Sequence, residues 1–165
     1  DAGVKQLGNY RFAKMPDGSG WEYHIVIEGW EPQIWKSLPS GESELVTNQF
    51  DIVVVPDKGV IVVKLDIENQ LGGGNPEEWH YGIVMMSQDG YGPNGSRIRE
   101  INPSAEQYRG GGAPNVVNHP NLFDVIFPDE GVQEDYLSSY GDYTGSVDDI
   151  PTDKLASIPL VSKNS

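Results

Sequence analysis

Large apolar residues alternate with polar ones from Trp21 to Ile27. Trp21, Tyr23, Ile25 and Ile27 occupy the odd positions, Glu22, His24 and Glu28 the even ones, and Val26 breaks the pattern. A period of two predicts a half-buried β-strand. Asp51-Ile52-Val53-Val54-Val55 and Val60-Ile61-Val62-Val63-Lys64 are β-branched runs around Pro56-Asp57-Lys58-Gly59. Proline pre-sets the first turn dihedral, Asp bonds its own backbone and Gly accepts a positive φ, so the segment predicts a hairpin. Trp79 to Met86 and Leu122 to Phe127 predict two further strands, with Ile34 to Ser37 and Glu44 to Thr47 as weaker ones around the Pro39-Ser40-Gly41 turn. Only Asp66 to Leu71 and Asp129 to Tyr136 suit a short helix.

Glycine and proline, 20 and 12 in 165 residues, are spread as punctuation between these runs. That distribution predicts an all-β fold, an antiparallel, jelly-roll-like β-sandwich with long loops and one or two short helical turns. The length suits one module over residues 1–165, with an acidic surface tail over 138–165 that ends in the apolar Ile158-Pro159-Leu160-Val161.

Charge narrows the partners. The formal net charge is −14, from 25 acids against 11 Lys and Arg. Such a surface repels phosphate backbones and anionic lipid, so nucleic acid is excluded as a partner. The longest apolar runs fall short of a membrane span, so membrane insertion is not expected. Without cysteine there is no disulfide framework and no thiolate metal site.

Catalytic signatures are missing. The chain has no Gly-x-Ser-x-Gly elbow, no His-Glu-x-x-His and no phosphate loop. His24, His80 and His119 are far apart in sequence and read as structural. With 25 acids any carboxylate pair can be drawn on paper, so pairing says nothing about glycoside hydrolysis. The expectation is that the chain is not an enzyme.

Two binding chemistries remain. Calcium takes six to eight oxygens, most easily from loops. Asp89 with Gln88 beside it is the first candidate donor set, and Asp124 with Asp129, on either side of Phe127-Pro128, the second. Sugars stack apolar C–H faces on flat rings while their hydroxyls need polar partners at the rim. Trp30 and Trp35 flank Pro32 just beyond a strand, Tyr91 projects from a Gly-rich loop, and Tyr108-Arg109 precedes a glycine triplet. Trp21 and Trp79, on alternating strands, read as core. Asn94-Gly95-Ser96 is an N-glycosylation sequon.

The order Trp79-x-Tyr81, Ser87-Gln88-Asp89-Gly90-Tyr91-Gly92-Pro93, Arg97, Tyr108-Arg109-Gly110-Gly111-Gly112, Asn115 and Phe123-Asp124-Val125-Ile126 resembles the C-terminal module of glucodextranases. Similar modules are appended to archaeal pullulanases and surface-layer-associated proteins, and are related to DOMON and family 9 carbohydrate-binding β-sandwiches. The resemblance implies a non-catalytic, extracellular module beside glucan-degrading enzymes, with a polysaccharide or cell-surface glycan as partner. The alternative is a structural subunit of a surface layer or filament, assembled through sheet edges and calcium. Members of this family carry further strands before the one that starts here at Trp21. Two completions are open: a strand donated by another chain, or closure by residues 1–20 together with Ile158 to Val161.

Overall fold

The computed structural model describes residues 6–7, 11–88, 98–127 and 133–163. Among them the strands run β1 (Ala13–Lys14), β2 (Tyr23–Val26), β3 (Gln33–Ser37), β4 (Ser43–Thr47), β5 (Asp51–Val55), β6 (Val60–Lys64), β7 (Val84–Met85), β8 (Asp124–Val125) and β9 (Ala156–Ser157). Two short α-helices, α1 (Ile67–Gln70) and α2 (Gln133–Leu137), and several 3-10 turns complete the described elements. The architecture is all-β, and among the described strands β1 and β9 pair in parallel while the other strand pairs are antiparallel.

The chain divides into two compact units, one from Trp21 to Pro76 and the other from the N-terminal stretch up to Gly20 together with Glu77 onward. In the first, β2, β3 and β4 form an antiparallel meander. Ile34, the second residue of β3, is completely buried. A bulge between Ile34 and Trp35 shifts the register, so Ile34 faces Thr47 while Trp35 faces Leu45. The extra residue is Val46 on β4, left without a partner on β3.

The β5–β6 hairpin forms in the register that its sequence predicts, from Asp51 opposite Lys64 to Val55 opposite Val60. Its turn is a 3-10 turn over Pro56–Lys58 closed by Gly59 at φ 61°. Both faces of this hairpin remain open: Val54 and Ile61 on one, and Val53, Val60 and Val62 on the other, are all exposed, Ile61 at 61%. Helix α1 starts where Asp66 caps it, the carboxylate accepting from the Asn69 amide at 3.1 Å. The Asn69 side chain donates to the same carboxylate at 2.7 Å. These bonds to the charged form lower the Asp66 pKa.

In the second unit the N-terminal segment and the C-terminal tail pair with each other. β1 runs parallel to β9, Ala13 beside Ala156 and Lys14 beside Ser157, and the Ile158 amide extends the ladder to the Lys14 carbonyl at 3.0 Å. Leu155, Ala156, Ile158, Ala13 and Met15 are buried. Tyr81 and Val161 exchange two backbone bonds of 2.7 and 2.8 Å. The apolar end of the tail is therefore integrated, although residues 141–154 are largely exposed and carry two 3-10 turns.

Several expected strands are shorter than their apolar runs. Trp79 to Met86 yields only β7, because the 3-10 turn at Pro76–Glu78 precedes it and Gly82 lies against the Ile158 side chain. Trp79 is half-buried, not core, and its ring stands 6.4 Å from that of Tyr81. Trp21 is buried, as its alternation predicts. Ile27, the last residue of the same pattern, is exposed because β2 ends at Val26. Leu122 to Phe127 contracts to β8, and the helix expected over 129–136 is seen as α2; residues 129–132 lie outside the described set.

Candidate functional site

The first candidate surface is one face of the β2–β3–β4 sheet. Register places His24 and Leu45 directly across from Trp35, and opposed residues project to the same side. Gln33, two residues back on β3, shares that side. Its Oε1 accepts a 2.9 Å hydrogen bond from the Trp35 indole Nε1. The indole is thereby held in one orientation by its neighbour, half-buried and flanked by the exposed Leu45. His24 is engaged with Trp21, ring centroids 5.4 Å apart.

Trp30 sits in the bend before β3 and is 53% exposed. An exposed indole leaves a large apolar face in water. The bend is braced from outside: Asn48, after β4, donates through its side-chain amide to Glu31 Oε1 at 2.6 Å. Of the sequence-predicted aromatic residues, Trp30 and Trp35 therefore belong to one unit, with Gln33, Glu31 and Asn48 as polar groups around them. Sequence pattern alone did not single out Gln33, Leu45 or Asn48; the i, i+2 spacing of Gln33 and Trp35 on a strand is the signal that could have found the first.

Tyr108 and Arg109 lie in the other unit. Glu106 and Arg109 exchange backbone hydrogen bonds of 3.2 and 3.3 Å, which makes Gln107-Tyr108 a two-residue turn with Tyr108 exposed at its tip. Arg109 is bracketed by carboxylates, Nε at 3.0 Å from Glu100 and Nη1 at 3.6 Å from Glu106. Its charge is already matched, although exposed pairs of this kind contribute at most about 1 kcal/mol. Tyr91 and the sequon Asn94 lie outside the described residues.

Of the oxygen donors expected for calcium, Gln88 and Asp124 are described. Gln88 bridges Ile98, and the Arg99 amide donates to the Ser87 carbonyl at 2.8 Å, so the two strand ends that flank residues 89–97 are clamped together. Asp124 lies on β8 opposite Met85. Its Oδ1 accepts from the Val125 amide at 2.8 Å and from Gln133 Nε2 at 2.9 Å. Asp89 and Asp129 are outside the described residues, among which no cluster of three or more carboxylate or imidazole groups occurs.

A cleft of about 650 Å³ opens beside the glycine triplet. Gly112, Ala113 and Pro114 form one wall, His119 and Tyr140 contribute rings, and Gln133, Glu134, Leu137 and Ser138 of the α2 segment close the other side. The His119 and Tyr140 rings meet edge to face, 5.8 Å between centroids. Burial lowers the His119 pKa, opposed by a weaker backbone interaction at Pro120, and burial raises that of Tyr140. Both rings are uncharged near neutrality. Asn118, 1% exposed, fixes this region by donating from Nδ2 to the carbonyls of Gly141 and Lys154, at 2.8 and 2.7 Å. The cleft residues are scattered over three segments, so sequence spacing could not assemble them.

What the two surfaces share is the pairing of aromatic rings with hydrogen-bonding side chains, Gln33, Glu31 and Asn48 at the first and Gln133, Glu134 and Ser138 at the second. Among the described residues no helix is long and apolar enough to cross a membrane. No curated protein and no solved structure matches the chain. The family model of the C-terminal binding module, SLH-like, of glucodextranase matches residues 9–156, nearly the whole chain, and the protein belongs to that family of binding modules.

Proposed function

We propose that this chain is a non-catalytic module that holds a polysaccharide or cell-surface glycan outside the cell, alongside glucan-degrading activity. Membership of a binding-module family supports the class. The observation that carries the ligand is the Trp35 indole, fixed by Gln33 on an open sheet face beside Leu45, with the exposed Trp30 in the adjoining bend. A rigid, half-exposed ring is what a sugar C–H face stacks on, and its pre-set orientation removes an ordering cost from binding. Titrating soluble α-glucan while following tryptophan fluorescence tests this reading. A saturable change that disappears in Trp35→Ala supports it, and a flat titration ends it.

A second reading, assembly of copies through sheet edges, is favoured by the β5–β6 hairpin. Two strands with open apolar faces form an association surface. The hairpin is also locally neutral: Asp51 and Asp57 are matched by Lys58 and Lys64 within a chain of net charge −14. It is thus a segment where two copies meet without the repulsion their other surfaces impose. Light scattering over a concentration series is the test: an invariant monomer mass removes this reading. Calcium, with Gln88, Asp89, Asp124 and Asp129 as proposed donors, is tested by melting with and without chelator. An unchanged midpoint and no calcium by elemental analysis would discard it.

A further inference from the structure

We propose that the cleft beside His119 and Tyr140 is a second glycan subsite, distinct from the tryptophan face, which seats a short segment of an uncharged oligosaccharide. The proposal rests on the glycan reading above and adds a site and a ligand class to it. Its volume, about 650 Å³, lies in the range of small-ligand pockets. The lining includes no Lys or Arg, and Glu134 stands at its edge in a chain of net charge −14, so phosphate, sulfate and uronic-acid ligands are disfavoured.

The remaining chemistry suits a neutral polyol. The edge-to-face pair of His119 and Tyr140 supplies flat rings for C–H stacking, and both are uncharged near neutrality. Gly112 and Ala113 keep the opposite wall low, because neither carries a side chain beyond Cβ. Gln133 gives Nε2 to Asp124, which holds its amide in place on α2, and Ser138 and Glu134 add oxygen acceptors for sugar hydroxyls. A cleft of this volume takes a short oligosaccharide segment, whereas the tryptophan face lies on an open sheet.

The test is NMR titration of the full chain, labelled at tyrosine, histidine and tryptophan rings, with maltotriose and isomaltotriose as probes. Saturable shifts of the Tyr140 and His119 ring signals are expected with at least one probe. Ser138→Trp, an exposed rim position whose new side chain fills the cleft without removing buried contacts, should weaken that binding at least ten-fold. Trp35→Ala should leave it in place. If only the tryptophan signals move, or if Ser138→Trp binds as tightly as the parent, the cleft proposal is overturned while the glycan reading stands. If no ring signal moves at saturating sugar, both fall. Shifts in the cleft alone support the subsite and remove the tryptophan platform.

Discussion

Asn118 donates its side-chain amide to the Lys154 carbonyl at 2.7 Å, and so joins the loop after the glycine triplet to the C-terminal tail. A second bond from the same nitrogen reaches the Gly141 carbonyl at 2.8 Å. The amide is essentially inaccessible to water. Its Oδ1 is buried without a partner. Asn118→Ala strands both carbonyls, and a destabilisation of about 2–4 kcal/mol is expected from two lost bonds plus desolvated acceptors. Urea unfolding measures it; a loss below about 0.5 kcal/mol would show that the carbonyls find water instead.

His119 makes the stability of this region pH-dependent. Burial lowers its pKa in the folded chain relative to the ordinary value near 6.5. The unfolded chain therefore binds the proton first as pH falls, so the contribution is present above about pH 6.5 and is lost as pH drops through the folded value. The urea midpoint should be higher at pH 7.5 than at pH 5.5, and His119→Phe should flatten the difference. Tyr140, whose ring meets that of His119 edge to face, has its pKa raised by burial and stays neutral across that interval. An equal slope in the variant would mean that other histidines set it.

Local sequence determined some elements and could not determine others. The β5–β6 hairpin was legible to the residue because Pro56, Asp57 and Gly59 fix the turn and two β-branched runs fix the register. Helix α1 was legible because Asp66 is a capping residue and Gly72 follows soon after. The β1–β9 pair was not, since two-residue strands some 140 positions apart leave no periodicity to read. The site divides the same way. Trp30 and Trp35 were found by their placement around Pro32, but the Gln33 bond that orients Trp35 and the meeting of His119 with Tyr140 are products of tertiary contact. The ion pairs that hold Arg109 between Glu100 and Glu106 depend in the same way on the folded turn.

Gln33 separates orientation from contact at the tryptophan face. Gln33→Leu keeps the size of the side chain but removes the acceptor for the Trp35 indole. Weakening of α-glucan binding by roughly three- to ten-fold is expected, less than for Trp35→Ala, where the whole ring is lost, on the scale of roughly 1–3 kcal/mol for a stacking platform. Trp30→Ala should weaken binding with little change in stability, because that ring is mostly in solvent. Equal affinity in Gln33→Leu and the parent would show that the hydrogen bond does not set the ring's orientation.

The glycine triplet beside the cleft has a steric reason that a single methyl group can expose. A Cβ on Gly111 would stand 2.6 Å from the Ala105 backbone nitrogen, 2.9 Å from its Cβ and 3.1 Å from its Cα. Backbone cannot step aside as a flexible side chain does, so Gly111→Ala must move the 100–113 turn or strain it, at a cost of about 1–3 kcal/mol. Gly29, in the bend that carries Trp30, is the control. A Cβ there meets nothing within 4 Å, and its φ lies outside the left-handed region. Gly29→Ala should stabilise by up to about 1 kcal/mol through loss of freedom in the unfolded chain. Thermal melts of the two variants should therefore move in opposite directions from the parent. A Gly111→Ala protein that melts at or above the parent temperature would refute the close packing of Gly111 against Ala105.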